Sequence, residues 1–101
     1  MKTKKETLWS IYLEDFLLSG RVEGKTAATL KWYKEVLTPF VQFVDEEGLS
    51  KGSLRKYVNS LVDRLKIATV DNRVRAIKTF LKFLHREGFL EEDLASSLKR
   101  P

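Results

Sequence analysis

Apolar residues recur along most of this chain at spacings of three and four, and no segment sustains an alternation of two. The longest such run covers residues 69–88, TVDNRVRAIKTFLKFLHREG. Val70, Val74, Ile77, Phe80, Leu81 and Leu84 fall on one helical face. Thr69 is placed to cap the start of this helix, and Gly88 to take the left-handed turn that ends it. The remaining face carries Arg73, Arg75, Lys78, Lys82 and Arg86, with Asp71 as the one acid between them.

The other elements follow from the same pattern. Thr3 and Glu6 have capping-box spacing, which starts a first helix near Lys4. Its stripe of Leu8, Trp9, Tyr12, Leu13, Phe16 and Leu17 is wide enough for two neighbours. The stretch SGRVEG, with Gly20 and Gly24, reads as the loop that ends it. A second helix is predicted over residues 26–47, with Leu30, Tyr33, Leu37, Phe40, Val41 and Val44 turned inward. Pro39 lies inside that run. It either kinks the helix or, with Thr38, begins a new one. Ser50 or Ser53 caps a third helix reaching about Arg64, with Leu54, Tyr57, Val58, Leu61 and Val62 as its stripe. Beyond Gly88 a short fifth helix is predicted through Leu94 and Leu98. Acids at 91–93 suit its start, and Lys99 and Arg100 its end. The expectation is an all-α domain of four main helices and one short one, spanning residues 1–101.

Composition narrows the function. The chain has no cysteine and a formal net charge of +5, so disulfides and thiolate metal sites are excluded. No apolar run approaches the roughly 20 residues that span a bilayer. The basic N-terminus, followed by Glu14 and Asp15, does not read as a signal peptide. The expected compartment is the cytoplasm, with no membrane partner. Charge is segregated: seven Lys or Arg and one acid lie between Arg64 and Arg86, while acids cluster at 45–47 and 91–93. His85 is the one histidine and has no partner in the sequence that would make it a ligand or base, so no cofactor, metal or catalytic residue is expected. A small enzyme would need a deep polar pocket beside His85.

Polyanion binding needs cations, hydroxyls and amides on one surface, and helix starts favour it. Two predicted starts are so equipped: Lys25, Thr26, Thr29 and Lys31 on the second helix, and Lys66, Thr69, Asn72 and Arg73 on the fourth. Asn suits the adenine edge and Arg the guanine edge in the major groove. The plainer reading is that Thr26 and Thr69 only cap and the cations only solubilise. Trp32 either extends the core or packs against sugar and base edges.

With these residues in view, the chain resembles the N-terminal core-binding domain, of SAM-like fold, of tyrosine recombinases and phage integrases. Thr29, Tyr33, Leu37, Phe40 and Phe43 match that domain's second-helix pattern. TVDNRVRAIKTFLKFLHREGFLEED matches its fourth helix, and LASSLKRP resembles the segment leading into the catalytic domain. The chain departs from the family in carrying Asp93-Leu94 where Asn-Pro is common, and in having Pro39. The resemblance implies two crossed helical hairpins that clamp one side of duplex DNA in integration or recombination, with the second and fourth helices in the major groove. The facing residues would be Thr29, Lys31, Trp32 and Glu35, then Thr69, Asn72, Arg73 and Ala76. The catalytic domain would follow Pro101, so the chain itself would bind double-stranded DNA and perform no chemistry. Its other partners would be that catalytic domain and neighbouring recombinase protomers, with Trp9 and Leu13 partly exposed for protomer packing. The alternative is a helical protein–protein interaction or oligomerisation module with a basic face.

Overall fold

A computed structural model describes residues 7–99. Its elements are α1 (Leu8–Val22), α2 (Ala27–Glu47), α3 (Lys51–Arg64), α4 (Ile67–Arg86) and a C-terminal 3-10 turn, Leu94–Ser97. There is no strand among the described residues. The all-α expectation holds, with the short fifth helix realised as the 3-10 turn. Ala95 and Leu98 anchor that turn by burial.

Helix α4 is the centre of the bundle and contacts every other element. Its six expected core residues are all buried, and Ala76 and Phe83 are buried with them. Phe80 is fully enclosed. The rings of Trp9 and Phe16 from α1 lie 6.3 and 5.3 Å from it, and that of Phe40 from α2 lies 6.5 Å away, all edge-on. Such pairs add roughly 0.5–1.5 kcal/mol each to the area they bury. Leu13, expected from the resemblance to be partly exposed, is buried, because α1 packs closely against α2.

Several boundaries differ from expectation, each for a local reason. The Thr3–Glu6 capping box lies outside the described residues. The observed cap of α1 is Thr7, whose hydroxyl accepts from Ser10 N–H while the Ser10 hydroxyl accepts from Thr7 N–H. The Thr7 hydroxyl also donates to Asp45 Oδ2 at 2.8 Å, tying the start of α1 to the end of α2. Gly20 does not break α1. It is buried within the helix, where a Cβ would lie 2.9 Å from Leu30 Cδ2. A missing side chain lets the two helices approach here, and α1 runs on to Val22.

Helix α2 is continuous through Pro39. Proline leaves the Glu35 carbonyl without its helical donor. Pro39 and Glu35 both lie on the exposed side, where water can serve that carbonyl. The Thr38 hydroxyl donates to the Lys34 carbonyl at 2.6 Å in the same turn. Ser50 and Ser53 together form the reciprocal cap of α3. Thr69 is not the cap of α4. The chain turns helical at Ile67 with Lys66 as an N-cap lacking a side-chain bond, which places Thr69 inside the first turn. The expected end of α4 is found: Gly88 has φ +83°, Phe89 N–H donates to the Leu84 carbonyl and Gly88 N–H to that of His85, a Schellman closure.

Truncating Phe80→Ala is expected to cost about 3–5 kcal/mol, since three neighbouring rings cannot all collapse into the space left. Urea unfolding of the variant and the parent chain measures this. Equal midpoints would show that Phe80 is not at the centre of the core.

Candidate nucleic-acid interface

The outer face of α4 carries Asn72, Arg75, Thr79, Lys82 and Arg86 at alternating spacings of three and four. At about 100° per residue these positions form one straight stripe. Two grooves flank it. The first, between α2 and α4, is lined by Trp32, Tyr33, Asn72, Arg75, Ala76 and Thr79. The second, between α4 and the end of α1, is lined by Phe16, Ser19, Gly20, Glu23, Lys25, Thr79, Lys82, Phe83 and Arg86. Their volumes are similar, about 240 and 220 Å³. Thr79 borders both, so the two grooves are neighbours, and together they are termed the trough.

A small residue lies in each half. Ala76, 2% exposed, belongs to the first groove and Gly20 to the second. Local backbone geometry places the α1–α2 wall. After α1, Gly24 takes φ +91° and Lys25 N–H donates to the Gly20 carbonyl at 3.0 Å. This closure brings the Lys25 side chain over Gly20, where it lines the trough. Thr26 then caps α2, accepting from Thr29 N–H, while its own hydroxyl donates to Thr29 Oγ1 at 2.9 Å.

The trough is electropositive. Lys25, Arg75, Lys82 and Arg86 line it against the single acid Glu23. The ion pairs recorded for these cations are long: Lys25–Glu23 at 3.9 Å and Arg86–Glu87 at 4.0 Å, both exposed. Exposed pairs of this kind contribute little and exchange readily for another anion. The Arg86 guanidinium also sits 5.8 Å from the Phe83 ring centre.

The structure sorts the residues singled out from the sequence. Lys25, Trp32, Asn72 and Ala76 are brought to the trough. Thr26, Thr29, Lys31 and Lys66 are exposed without lining either groove, and Thr69 is half-buried. Arg73 is turned away. It lies one step of about 100° from Asn72, on the side facing α3, and its Nε is buried with no hydrogen-bond partner. Arg75, Lys82 and Arg86 were expected on the basic face of this helix but not as individual contacts, and Thr79 was in neither set, although the 72-75-79-82-86 spacing is present in the sequence. His85 lies outside the trough, with Nδ1 3.3 Å from the Leu90 carbonyl.

Arg73 faces Tyr57 of α3. The Tyr57 ring packs 5.3 Å from Phe40 and 5.1 Å from Phe43. Burial pushes the phenol above its ordinary pKa of 10.0, and the positive charges of Arg73 and Arg64 offset part of that rise. Among the described residues no three His, Cys, Asp or Glu side chains gather as a metal site, and no helix is long and apolar enough to cross a membrane.

Comparison with known proteins gives one informative similarity. The chain is similar to the tyrosine recombinase XerC of Oceanobacillus iheyensis, at 28% identity over an alignment of 89 residues that covers 80% of this chain. It spans 29% of that protein's length. The similarity supports a recombinase-related domain. No family model matches the chain, and no solved structure does.

The Tyr57 environment has a testable pH signature. A phenol whose folded pKa is raised binds more protons folded than unfolded above pH 10.0. Its stabilising share is complete below that pH and is lost as pH rises through the folded value. The parent chain is therefore expected to lose more stability than Tyr57→Phe between about pH 9 and 11. Denaturant unfolding at the two pH values makes the comparison, and parallel losses would place the hydroxyl in a water-like setting.

Proposed function

We propose that this chain is the DNA-binding domain of a tyrosine-recombinase-like protein and holds duplex DNA along the α4 trough. The observation that carries this reading is the stripe Asn72, Arg75, Thr79, Lys82 and Arg86, which shares two neighbouring grooves with Lys25 and Trp32. Cations in a row meet phosphates, and this term dominates affinity. Asn72 and Arg75 lie together at the end nearer the start of α4, where amide and guanidinium can meet base edges. Thr26, Thr29, Lys31, Lys66 and Thr69 lie around the same two helix starts and extend the phosphate contact. Ala76 leaves room in the groove. In this reading Arg73 supports the α3–α4 packing and makes no DNA contact.

The similarity to XerC gives the reading its biological setting. The chain supplies the grip, in the cytoplasm, and strand cleavage belongs to the part of such proteins that the similarity does not reach. Its partners are then duplex DNA, that catalytic portion and neighbouring protomers. A second reading, a helical protein-interaction module, is favoured by a separate feature: Leu8 and Ile11, then Leu18 and Val22, are exposed on one side of α1, with Asp15 between the two pairs. These residues and the trough are different, so the two readings do not compete for one surface.

Fluorescence anisotropy with labelled duplex at several salt concentrations tests the DNA reading. With Lys25, Lys31, Lys66, Lys82 and Arg86 on phosphates, the log–log salt slope is expected to be about −4 to −5. The double change Asn72→Ala with Arg75→Ala is expected to weaken binding by about 2–4 kcal/mol while leaving the fold intact. Salt-independent binding, or an affinity untouched by the double change, would remove the trough from the interface.

A further inference from the structure

The trough changes character along its length. At the end formed by the α1–α2 connection the charged groups prevail: Lys25, Lys82 and Arg86 with the acid Glu23, beside Ser19 and the shared Thr79. At the α2–α4 end they are Asn72, Arg75 and Thr79, set beside an indole. The Trp32 ring is 40% exposed and leans on Tyr33 at 5.3 Å, with the planes 57° apart. Neighbouring Val36 and Phe40 already fill the core on this side of α2, so the exposed part of Trp32 is surplus to core packing. Ala76 adds an apolar wall with no bulk.

We infer that this end of the trough selects A·T pairs, with the thymine methyl group seated against Trp32 and Asn72 pairing with the adenine edge. The inference rests on the DNA-binding reading. In the major groove the thymine C5-methyl is the distinctive apolar group, and adenine N6 and N7 match a carboxamide's acceptor and donor. Asn72 and Ala76 are one helical turn apart, with Cβ atoms about 5–6 Å from each other. The amide therefore shares the groove with the Trp32 indole, and a single A·T pair or two adjacent ones can satisfy both. Arg75 remains free for a guanine or a phosphate next to it.

The test uses the full chain and a pool of short randomised duplexes selected at low salt. The expected result is enrichment of A·T pairs at a fixed position. The selected duplex is then made with uracil in place of thymine, which removes only the methyl group. Affinity is expected to fall roughly fourfold, the worth of one buried methyl. Trp32→Ala, shown to be folded by thermal melting, should bind both duplexes equally and keep the parent's salt slope. If that variant does not fold, the thymine–uracil comparison with the parent chain decides alone.

Equal affinity of the parent chain for the two duplexes overturns the inference, as does enrichment of G·C pairs at the selected position. Salt-dependent binding without any sequence preference leaves the DNA reading standing and removes A·T selection. Absence of salt-dependent binding to every duplex removes both.

Discussion

Three helices meet on the ring of Phe80. With Trp9 and Phe16 on one side and Phe40 on another, the α4 axis has little freedom to roll against its neighbours. Rolling would draw at least one of these rings out of its edge-on contact and open a cavity in a core that is otherwise close-packed. The direction of the outer stripe is fixed by the same contact, because residues on one helix keep a constant angular relation. The core thus aims the trough, and Phe16 belongs to both, packing on Phe80 and lining the second groove.

One helix serving both a core and a polar stripe must divide its circumference. Along α4 the buried side takes in Val70, Val74, Ala76, Ile77, Phe80, Leu81, Phe83 and Leu84, eight of its 20 residues. The stripe takes a further five. Residues near the border acquire mixed roles: Ala76 is buried yet lines a groove, and Arg73 carries a guanidinium whose Nε is enclosed. The enclosed donor lacks a partner, which costs free energy on the order of 1–3 kcal/mol.

Much of this architecture was legible in the sequence because it depends on local periodicity. The six core positions of α4 and the closing role of Gly88 were readable in this way, since each follows from spacing or from one residue's backbone freedom. What was not legible depends on neighbours distant in sequence. Gly20 looks like a breaker until Leu30 is seen against it. Thr69 looks like a cap, but the chain becomes helical two residues earlier without any capping side chain. Leu13 fell on the apolar stripe of the first helix by periodicity, and only the family resemblance made it partly exposed; in the bundle it is buried. On the candidate interface, reading residues by their nearness to a helix start selected Arg73. Reading them by angle selects Arg75, Thr79, Lys82 and Arg86, and only the packed bundle shows which side of α4 faces α3.

The α1–α2 hairpin is fastened at both ends, by the Thr7–Asp45 hydrogen bond at its open end and by the close approach at Gly20 next to the turn. Its two helices accordingly behave as a single lever. The trough lies between this lever and α4, so spreading its walls would require the hairpin to swing on the Phe80 cluster. A ligand that fits the trough as it stands would bind without deforming it and, by mass action, raise the temperature at which the bundle melts. A ligand needing a wider trough would draw the necessary work from the core itself. Recognition and cohesion in this small domain are in that sense thermodynamically linked through one aromatic contact.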